Sequence, residues 1–450
     1  MEIAGRSRGR LVALRLFVAA IIVAAASGLV FDDAQAATLE NLYSFCAKSA
    51  CADGAVPLAA VTLDASGNIY GTTIGGGDKQ QGTAYKLTHR RDGTWDEVVL
   101  HSFCAKTDCA DGDGPTSPMI MDVNGNLYGT TYITGVANEV VFELARQPGK
   151  RKLEFKRLYE FCAQENCPDG TSVQGGLTYQ GQSAGQPYDG VSPLFGTAYA
   201  GGAFNQGVVF TLTPPAQGAK KWRQQVIYNF CAQSGCADGA QPAAPVTVDG
   251  SGNLFGTTFR GGANSGVVFM LTPNAKAAWN ETVLYNFCSM AQCADGGLPN
   301  GLILDASGKL YGTASAGAGS QCGGGGCGVA FSLVPNGAQS QYTILYSFCS
   351  RNNCADGFNP TGSLAMDASG NLFGVTVNGG NTKNTDSGGG TAFELSGGTF
   401  KLLYSFCSEA NCADGAQPAG VVLTSDGKVV GTTGNGGAHG GGGTVFELTP

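Results

Sequence analysis

"YSFCSRNNCADG" runs from Tyr346 to Gly357, and "YSFCSEANCADG" follows from Tyr404 to Gly415. The same pattern, Tyr or His, then x-Phe-Cys, a second cysteine five positions on, and Ala or Pro before Asp-Gly, begins at Tyr43, His101, Tyr159, Tyr228, Tyr285, Tyr346 and Tyr404. The first cysteines of these seven copies (Cys46, Cys104, Cys162, Cys231, Cys288, Cys349 and Cys407) are 58, 58, 69, 57, 61 and 58 residues apart. A recurrence at one period means that one supersecondary unit is stacked on copies of itself. The 450 residues are therefore read as a single array rather than several independent cores.

Each period also repeats a hairpin such as "LDASGNIYGTT" (Leu63 to Thr73) or "MDASGNLFGVT" (Met366 to Thr376), and a segment such as "GTVFELTP" (Gly443 to Pro450). Asp-x-x-Gly-Asn between apolar residues is turn chemistry: the carboxylate bonds backbone N–H groups ahead of it and Gly accepts positive φ. Short β-branched and aromatic runs bounded by Gly and Pro, such as "GVVFML" (Gly266 to Leu271) and "TVLYNF" (Thr282 to Phe287), read as strands. Gly is 71 of 450 residues and gathers in loops between those strands, so it marks turns rather than disorder.

The first 36 residues differ in kind. Arg6, Arg8, Arg10 and Arg15 precede an apolar run from Leu16 to Val30, and "AQA" (Ala34 to Ala36) supplies small residues for cleavage. This is the pattern of a secretory signal peptide at 1–36. Its removal leaves 22 Lys and Arg (26 − 4) and 31 Asp and Glu (34 − 3), a net charge of 22 − 31 = −9. An acidic product argues against nucleic acid as partner. With no second apolar span and no sorting tail after "ELTP", the expectation is a secreted or periplasmic protein without a transmembrane span.

All sixteen cysteines fall into pairs with four residues between partners. Seven pairs belong to the motif: Cys46 with Cys51, Cys104 with Cys109, Cys162 with Cys167, Cys231 with Cys236, Cys288 with Cys293, Cys349 with Cys354, and Cys407 with Cys412. The eighth, Cys322 with Cys327, lies in a glycine-rich loop. Behind an export signal, such pairing indicates disulfides. Zinc would need four ligands per site, yet the chain has three histidines and each motif pair lies a whole repeat from the next. Iron–sulfur spacing would need a third cysteine where the motif has Ala-Asp-Gly or Pro-Asp-Gly. Closing so small a loop contributes about 2 kcal/mol per bridge in the chain-entropy model, so each bridge is read as fixing one loop.

Four strand candidates per period fit a propeller blade. In the first period they fall near Val56 to Leu63, Asn68 to Thr73, Thr83 to Leu87 and Glu97 to Phe103. The chain opens after the signal with an outer strand lacking its blade, "TLENLYSF" (Thr38 to Phe45), and closes with "GTVFELTP", a third strand lacking its outer one. Joining the two closes a ring and removes exposed sheet edges. The expectation is an all-β fold, a seven-bladed β-propeller over 37–450 closed by the N-terminal strand; an open β-solenoid needs no such complementary ends. Phe269, Phe331, Phe393 and Phe446 are expected between blades. In this architecture the stapled loops and glycine-rich loops such as "GTTIGGGDKQQG" (Gly71 to Gly82) share one face, and the Asp-x-x-Gly-Asn hairpins occupy the other.

The combination of "YGTT", "GTVFELTP" and "DASGNLYG"-like segments resembles the GloVer tandem repeat, the Gloeobacter and Verrucomicrobia type, of exported bacterial proteins. The likeness runs over residues 38 to 450. It is clearest at Gly71-Thr72-Thr73, Gly129-Thr130-Thr131, Gly256-Thr257-Thr258 and Gly431-Thr432-Thr433, and weaker at Gly196-Thr197-Ala198, Gly312-Thr313-Ala314 and Gly374-Val375-Thr376. The resemblance implies an exported, propeller-like array and supplies no catalytic residue.

Chemistry is sparse. Seven aspartates follow the second cysteine of each motif: Asp53, Asp111, Asp169, Asp238, Asp295, Asp356 and Asp414. Turned toward an axis they would form a ring for a ligand or for a hard cation such as calcium; Asp-Gly after a staple is also what a tight turn needs, and that reading is the stronger. The hairpin aspartates Asp64, Asp122, Asp249, Asp305 and Asp367 lack the alternating acids and terminal Glu of a calcium loop. His101 replaces Tyr in the motif and reads as a packing position, while His89 and His439 lie in loops. "TYQGQSAGQPYDGVSP" (Thr178 to Pro193) expands the third repeat, expected on the hairpin face, and "GAGSQCGGGGCG" (Gly317 to Gly328) expands the fifth, expected on the stapled face. No nucleophile elbow, His-Glu-x-x-His pair or phosphate loop occurs. The leading reading is an exported non-catalytic propeller, without catalytic residues, metal or cofactor, that binds a glycan, envelope component or protein through its stapled face. The alternatives are a cation-dependent propeller hydrolase or lyase acting on a polysaccharide or lactone, and a self-associating envelope protein.

Overall fold

The computed structural model describes residues 37–450 other than 133–138, 148, 150–152, 217–218, 220, 264, 276–277, 320–321, 323–324, 381–383 and 386. The expected signal peptide lies outside the described residues. Seven four-stranded antiparallel sheets stand in a ring. Blade 1 comprises Thr62–Leu63, Ile69–Thr73, Thr83–His89 and Trp95–Ser102. Blades 2 to 6 follow in chain order and end in the outer strands Glu154–Glu160, Arg223–Asn229, Trp279–Asn286, Gln341–Ser347 and Thr399–Ser405. Blade 7, Ala416–Leu423, Val429–Asn435 and Thr444–Thr449, receives Thr38–Ser44 as its outer strand, with Thr38 opposite Thr449 and Ser44 opposite Thr444. The N-terminal strand therefore closes the ring as its sequence anticipated.

Between blades one contact recurs seven times. The Phe of each stapled motif inserts against the third-strand aromatic of the next blade, edge-on as in Phe45 on Tyr85 (4.9 Å between ring centroids) and Phe230 on Phe269 (5.0 Å), and tilted in Phe406 on Phe446 (4.9 Å). Such pairs prefer this geometry because a positive ring edge meets a negative face. All of these rings are buried. The third-strand ring lies across the second strand, which explains the Gly of Gly-Thr-Thr: a Cβ on Gly256 would sit 2.5 Å from Phe269 Cζ. The first Thr of the same motif reaches the neighbouring blade's inner strand, with Thr257 Oγ1 donating to Asn300 O and Thr432 Oγ1 to Ala59 O, both at 2.9 Å.

The innermost strand departs from expectation. In blades 1, 2 and 4 it is regular over two residues only, Thr62–Leu63, Ile120–Met121 and Thr247–Val248. Upstream of both long and short inner strands the chain enters the blade in the same way: Val56, Gln241 and Leu298 take left-handed backbone (φ 59°, 60° and 54°) directly before Pro57, Pro242 and Pro299, where proline has no N–H for a ladder. Each such residue instead latches to the preceding blade, with Val56 N donating to Gly442 O (2.7 Å) and Gln241 N to Gln206 O (2.7 Å).

Candidate functional site

The stapled motif is a closed device. The aromatic residue that opens it donates to the aspartate ten positions later in six copies: Tyr43 to Asp53, Tyr159 to Asp169, Tyr228 to Asp238 and Tyr285 to Asp295 at 2.8 Å, Tyr346 to Asp356 at 2.7 Å and Tyr404 to Asp414 at 2.9 Å. In the seventh, His101 keeps the contact, with Nε2 2.9 Å from Asp111 Oδ2, and its ring stacks on Phe155. Backbone N–H groups after the first cysteine complete the cage, such as Ala47 N and Lys48 N on Asp53. In the third repeat, where Pro168 precedes Asp169, Cys162 N takes that part. Six of these carboxylates are fully buried and Asp169 is exposed to a greater degree. Burial alone would push the Asp111 carboxyl up, but the hydrogen bonds from His101 and Lys106 N outweigh it and hold the group below its ordinary value. Burial, followed by the bond to its aspartate and nearby negative charge, pushes the Tyr228 phenol up.

The cage has something to hold. Within the seven motifs Cys46 is bonded to Cys51, Cys104 to Cys109, Cys162 to Cys167, Cys231 to Cys236, Cys288 to Cys293, Cys349 to Cys354 and Cys407 to Cys412. Cys322 is bonded to Cys327 in the glycine loop. What the spacing did not convey is the backbone these bridges hold. The second cysteine is left-handed in every motif: Cys51 (φ 50°), Cys109 (48°), Cys167 (45°), Cys236 (55°), Cys293 (51°), Cys354 (49°) and Cys412 (53°). The first is left-handed too, as at Cys46 (φ 61°), and so is the residue before the second, as at Ala50 (φ 53°). For residues with a Cβ this costs about 1–2 kcal/mol each, and the bridge and the aspartate together offset it. The glycine loop of the same blade then lies on the staple: Gly77 N donates to Cys51 O at 2.9 Å. A Cβ on Gly76 would stand 2.5 Å from that oxygen.

The central channel was not legible residue by residue. It has a volume of about 890 Å³ and is walled by the inner strands of all seven blades, from Leu58 and Phe259 toward the stapled face to Gln182 and Ser183 toward the hairpin face. Its walls are small, apolar, hydroxyl or amide side chains, Thr62, Asn300, Thr361 and Ser363 among them, and no Asp, Glu, Lys, Arg or His lines it among the described residues. The sequence signal was the run of small residues before each hairpin, as in "PLAAVTL" (Pro57 to Leu63) and "NPTGSLAM" (Asn359 to Met366).

Few of the residues singled out from the sequence reach this channel. None of the seven aspartates lines it, and each carboxylate finds its partners in its own loop. Each aspartate sits in a separate cage, because the aromatic partner and the backbone N–H groups turn the acid inward. The cysteines are likewise absent from the channel wall. Cys109, Cys167, Cys236 and Cys293 serve the loops they close, while Cys412 also borders a smaller cavity of about 280 Å³ with Asn411 and Gln417. The hairpin aspartates cap their own turns, as Asp64 does with Ser66 N and Asn68 N. His89 lies against Trp95 across the outer edge of blade 1. The third-repeat insertion sits on the hairpin face and ties neighbours together, Val123 N donating to Tyr188 O and Ser183 Oγ to Val248 O. Among the described residues no helix is long and apolar enough to cross a membrane.

Comparison with known proteins agrees with this architecture. Residues 185–412 match the family model of the Gloeobacter/Verrucomicrobia repeat. No curated protein matches the chain. Among solved structures, the extracellular domain of a hybrid two-component system from B. thetaiotaomicron aligns with a TM-score of 0.51 at 10% identity, over 91% of this chain and 39% of that one. Kuenenia stuttgartiensis hydrazine synthase aligns with a TM-score of 0.50 at 11% identity, over 87% and 96%. PorZ, a surface component of the type-IX secretion system of Porphyromonas gingivalis, gives 0.47 at 12% identity over 86% and 46%. The chain thus spans less than half the length of the first and third of these, and at such identities the likeness is one of fold.

Proposed function

The chain belongs to the Gloeobacter/Verrucomicrobia repeat family, and on that premise we propose that it is an exported, non-catalytic β-propeller that binds a neutral glycan of the cell envelope. The ligand would land on the stapled face and reach into the axial channel. The observation that carries this reading is the wall of that channel, uncharged among the described residues. General acid–base chemistry needs titratable groups converging on one substrate, and here the buried acids of the repeats are held inside their own loops. A cavity near 890 Å³ falls within the range of small-ligand sites, and hydroxyl and amide groups on an apolar wall suit sugar hydroxyls rather than ions. The left-handed, bridged loops form a scaffold that does not need to order on binding, which favours affinity. Sixteen paired cysteines support export to an oxidising compartment.

The test is a glycan array probed with the mature chain and with Ala60→Trp and Ala365→Trp, two substitutions that fill the channel. Binding to neutral oligosaccharides, reduced at least tenfold by either tryptophan, supports the reading. Binding only to a protein partner, or cleavage of a polysaccharide or lactone that a chelator abolishes, overturns it.

A further inference from the structure

Most of the staples stand apart from any other bridge, but the one leading into blade 6 does not. The expanded glycine loop of blade 5 brings Cys322 Sγ to 3.9 Å from Cys354 Sγ. The sulfurs of Cys322, Cys349 and Cys354 all lie within 4.8 Å of one another, the one such gathering among the described residues. Two bridges of different repeats, Cys322–Cys327 and Cys349–Cys354, therefore meet side by side. Their exposure is graded. Cys322 and Cys354 are partly exposed, whereas Cys327 and Cys349 are buried at 1% and 6%, in a cluster with Phe348, Leu364 and Phe393.

We propose that these four cysteines form a thiol–disulfide exchange site, at which a thiol reductant converts two bridges within loops into one bridge between repeats, Cys322–Cys354. The steps balance with a monothiol, RSH, as the reductant. Its thiolate attacks the partly exposed Cys322 Sγ, forming an RS–Cys322 mixed disulfide and expelling the Cys327 thiolate, which takes a proton from solvent. A second RS⁻ attacks the R sulfur of the mixed disulfide, giving RSSR and the Cys322 thiolate. That thiolate faces Cys354 Sγ across 3.9 Å; it attacks there, forms Cys322–Cys354 and expels Cys349, which is protonated in turn. Two RSH are oxidised to RSSR, and two protein disulfides become one disulfide and two thiols.

The geometry favours this end point. Both released thiols sit on the apolar side of the cluster, where the thiolate is disfavoured and reactivity is low, while the new bridge uses the two accessible sulfurs. The product alters the stapled face directly, because the glycine loop of blade 6 rests on the same staple, with Gly380 N donating to Cys354 O at 2.9 Å. The inference does not depend on what the channel binds.

The mature, fully bridged chain is exposed to graded reduced glutathione, quenched with acid, alkylated after denaturation and mapped as peptides. We expect a Cys322–Cys354 cross-link, with alkylated Cys327 and Cys349, at a thiol concentration at least tenfold below that needed to open the other six staples. In a Cys322→Ser/Cys327→Ser variant, Cys349–Cys354 should open only together with those six. Absence of the cross-link at every concentration overturns the proposal, as does a Cys349–Cys354 bridge that opens at the same concentration in both proteins.

Discussion

Two junctions of the ring meet one requirement with different chemistry. Between blades 4 and 5, Leu298 is left-handed before Pro299, its N–H donates to Ser265 O at 2.9 Å, and Pro299 packs over Gly266. Between blades 2 and 3 the glycine is replaced by Glu139 and the proline by Val173; the left-handed Ser172 instead donates to the buried Glu139 carboxylate at 2.6 Å. The ring therefore requires a buried acceptor for that N–H, and glycine is only the commonest way of letting a carbonyl come close enough to serve.

The sharpest way to break this comparison is to exchange the solutions. Gly266 has φ +94°, and a Cβ there would fall 2.0 Å from Thr258 O and 2.8 Å from Pro299 Cδ. Gly266→Glu should destabilise the chain by about 3–5 kcal/mol, combining overpacking with a left-handed non-glycine, read as a lower urea midpoint. A change under about 1 kcal/mol would show that this junction has slack and that the contrast with Glu139 is accidental. Next in size, Glu139→Ala leaves the Ser172 N–H without that acceptor in a buried place and should cost about 2–3 kcal/mol, with Glu139→Gln near half of that. Equal effects from both substitutions would mean that packing, not the hydrogen bond, is what Glu139 supplies.

This pair also shows what the sequence could and could not convey. The period, the ring closure and the cysteine pairing were legible because each is written seven times or at both ends of the chain. Tyr and Asp stand ten apart inside the opening twelve residues, so the partners of the cage were visible; their contact was not, because side-chain direction in a left-handed loop follows from φ values that composition does not reveal. Glu139 is visible in the sequence as the one acid in a column of glycines (Gly82, Gly207, Gly266, Gly328, Gly390 and Gly443), but its role as an acceptor is not, because nothing in the column specifies the backbone N–H it faces. The latches between blades are hidden for a related reason: six of the seven latch residues precede proline and all seven are left-handed, and hydrophobic alternation does not report backbone handedness.

A third test moves the comparison to the cage. Tyr228→Phe removes one of the donors to the buried Asp238 and leaves its backbone donors Ala232 N and Gln233 N in place. The expected loss is about 1 kcal/mol. If the loss reached that of Glu139→Ala, the loops rather than the junctions would set the stability of the ring.

The finest contrast lies one socket outward, where blades 1 and 4 present a carboxylate at the same register, Glu97 opposite Leu87 and Glu281 opposite Leu271. Lys48 of the preceding staple reaches Glu97 at 2.6 Å, whereas the corresponding residue at the other socket is Gln233, 3.4 Å from Glu281. Burial, with the nearby Asp238 charge adding to it, pushes the Glu281 carboxyl from its ordinary 4.5 up to about 7. An acid raised in the folded state holds a proton that the unfolded chain has already lost, so its contribution to stability declines as pH rises from about 4.5 through 7 and stays lost above that. Glu281→Gln should therefore leave stability unchanged at about pH 4 and raise it at about pH 8 by about 1 kcal/mol, after allowance for the solvent that reaches this half-buried site. Gln233→Lys should lessen the same pH dependence without abolishing it, because burial holds the Glu97 carboxyl above its ordinary value even with Lys48 beside it. Urea midpoints at the two pH values decide the matter: a Glu281→Gln difference that is the same at both would show that solvent, not burial, governs this carboxyl, and that the two sockets are alike despite Lys48.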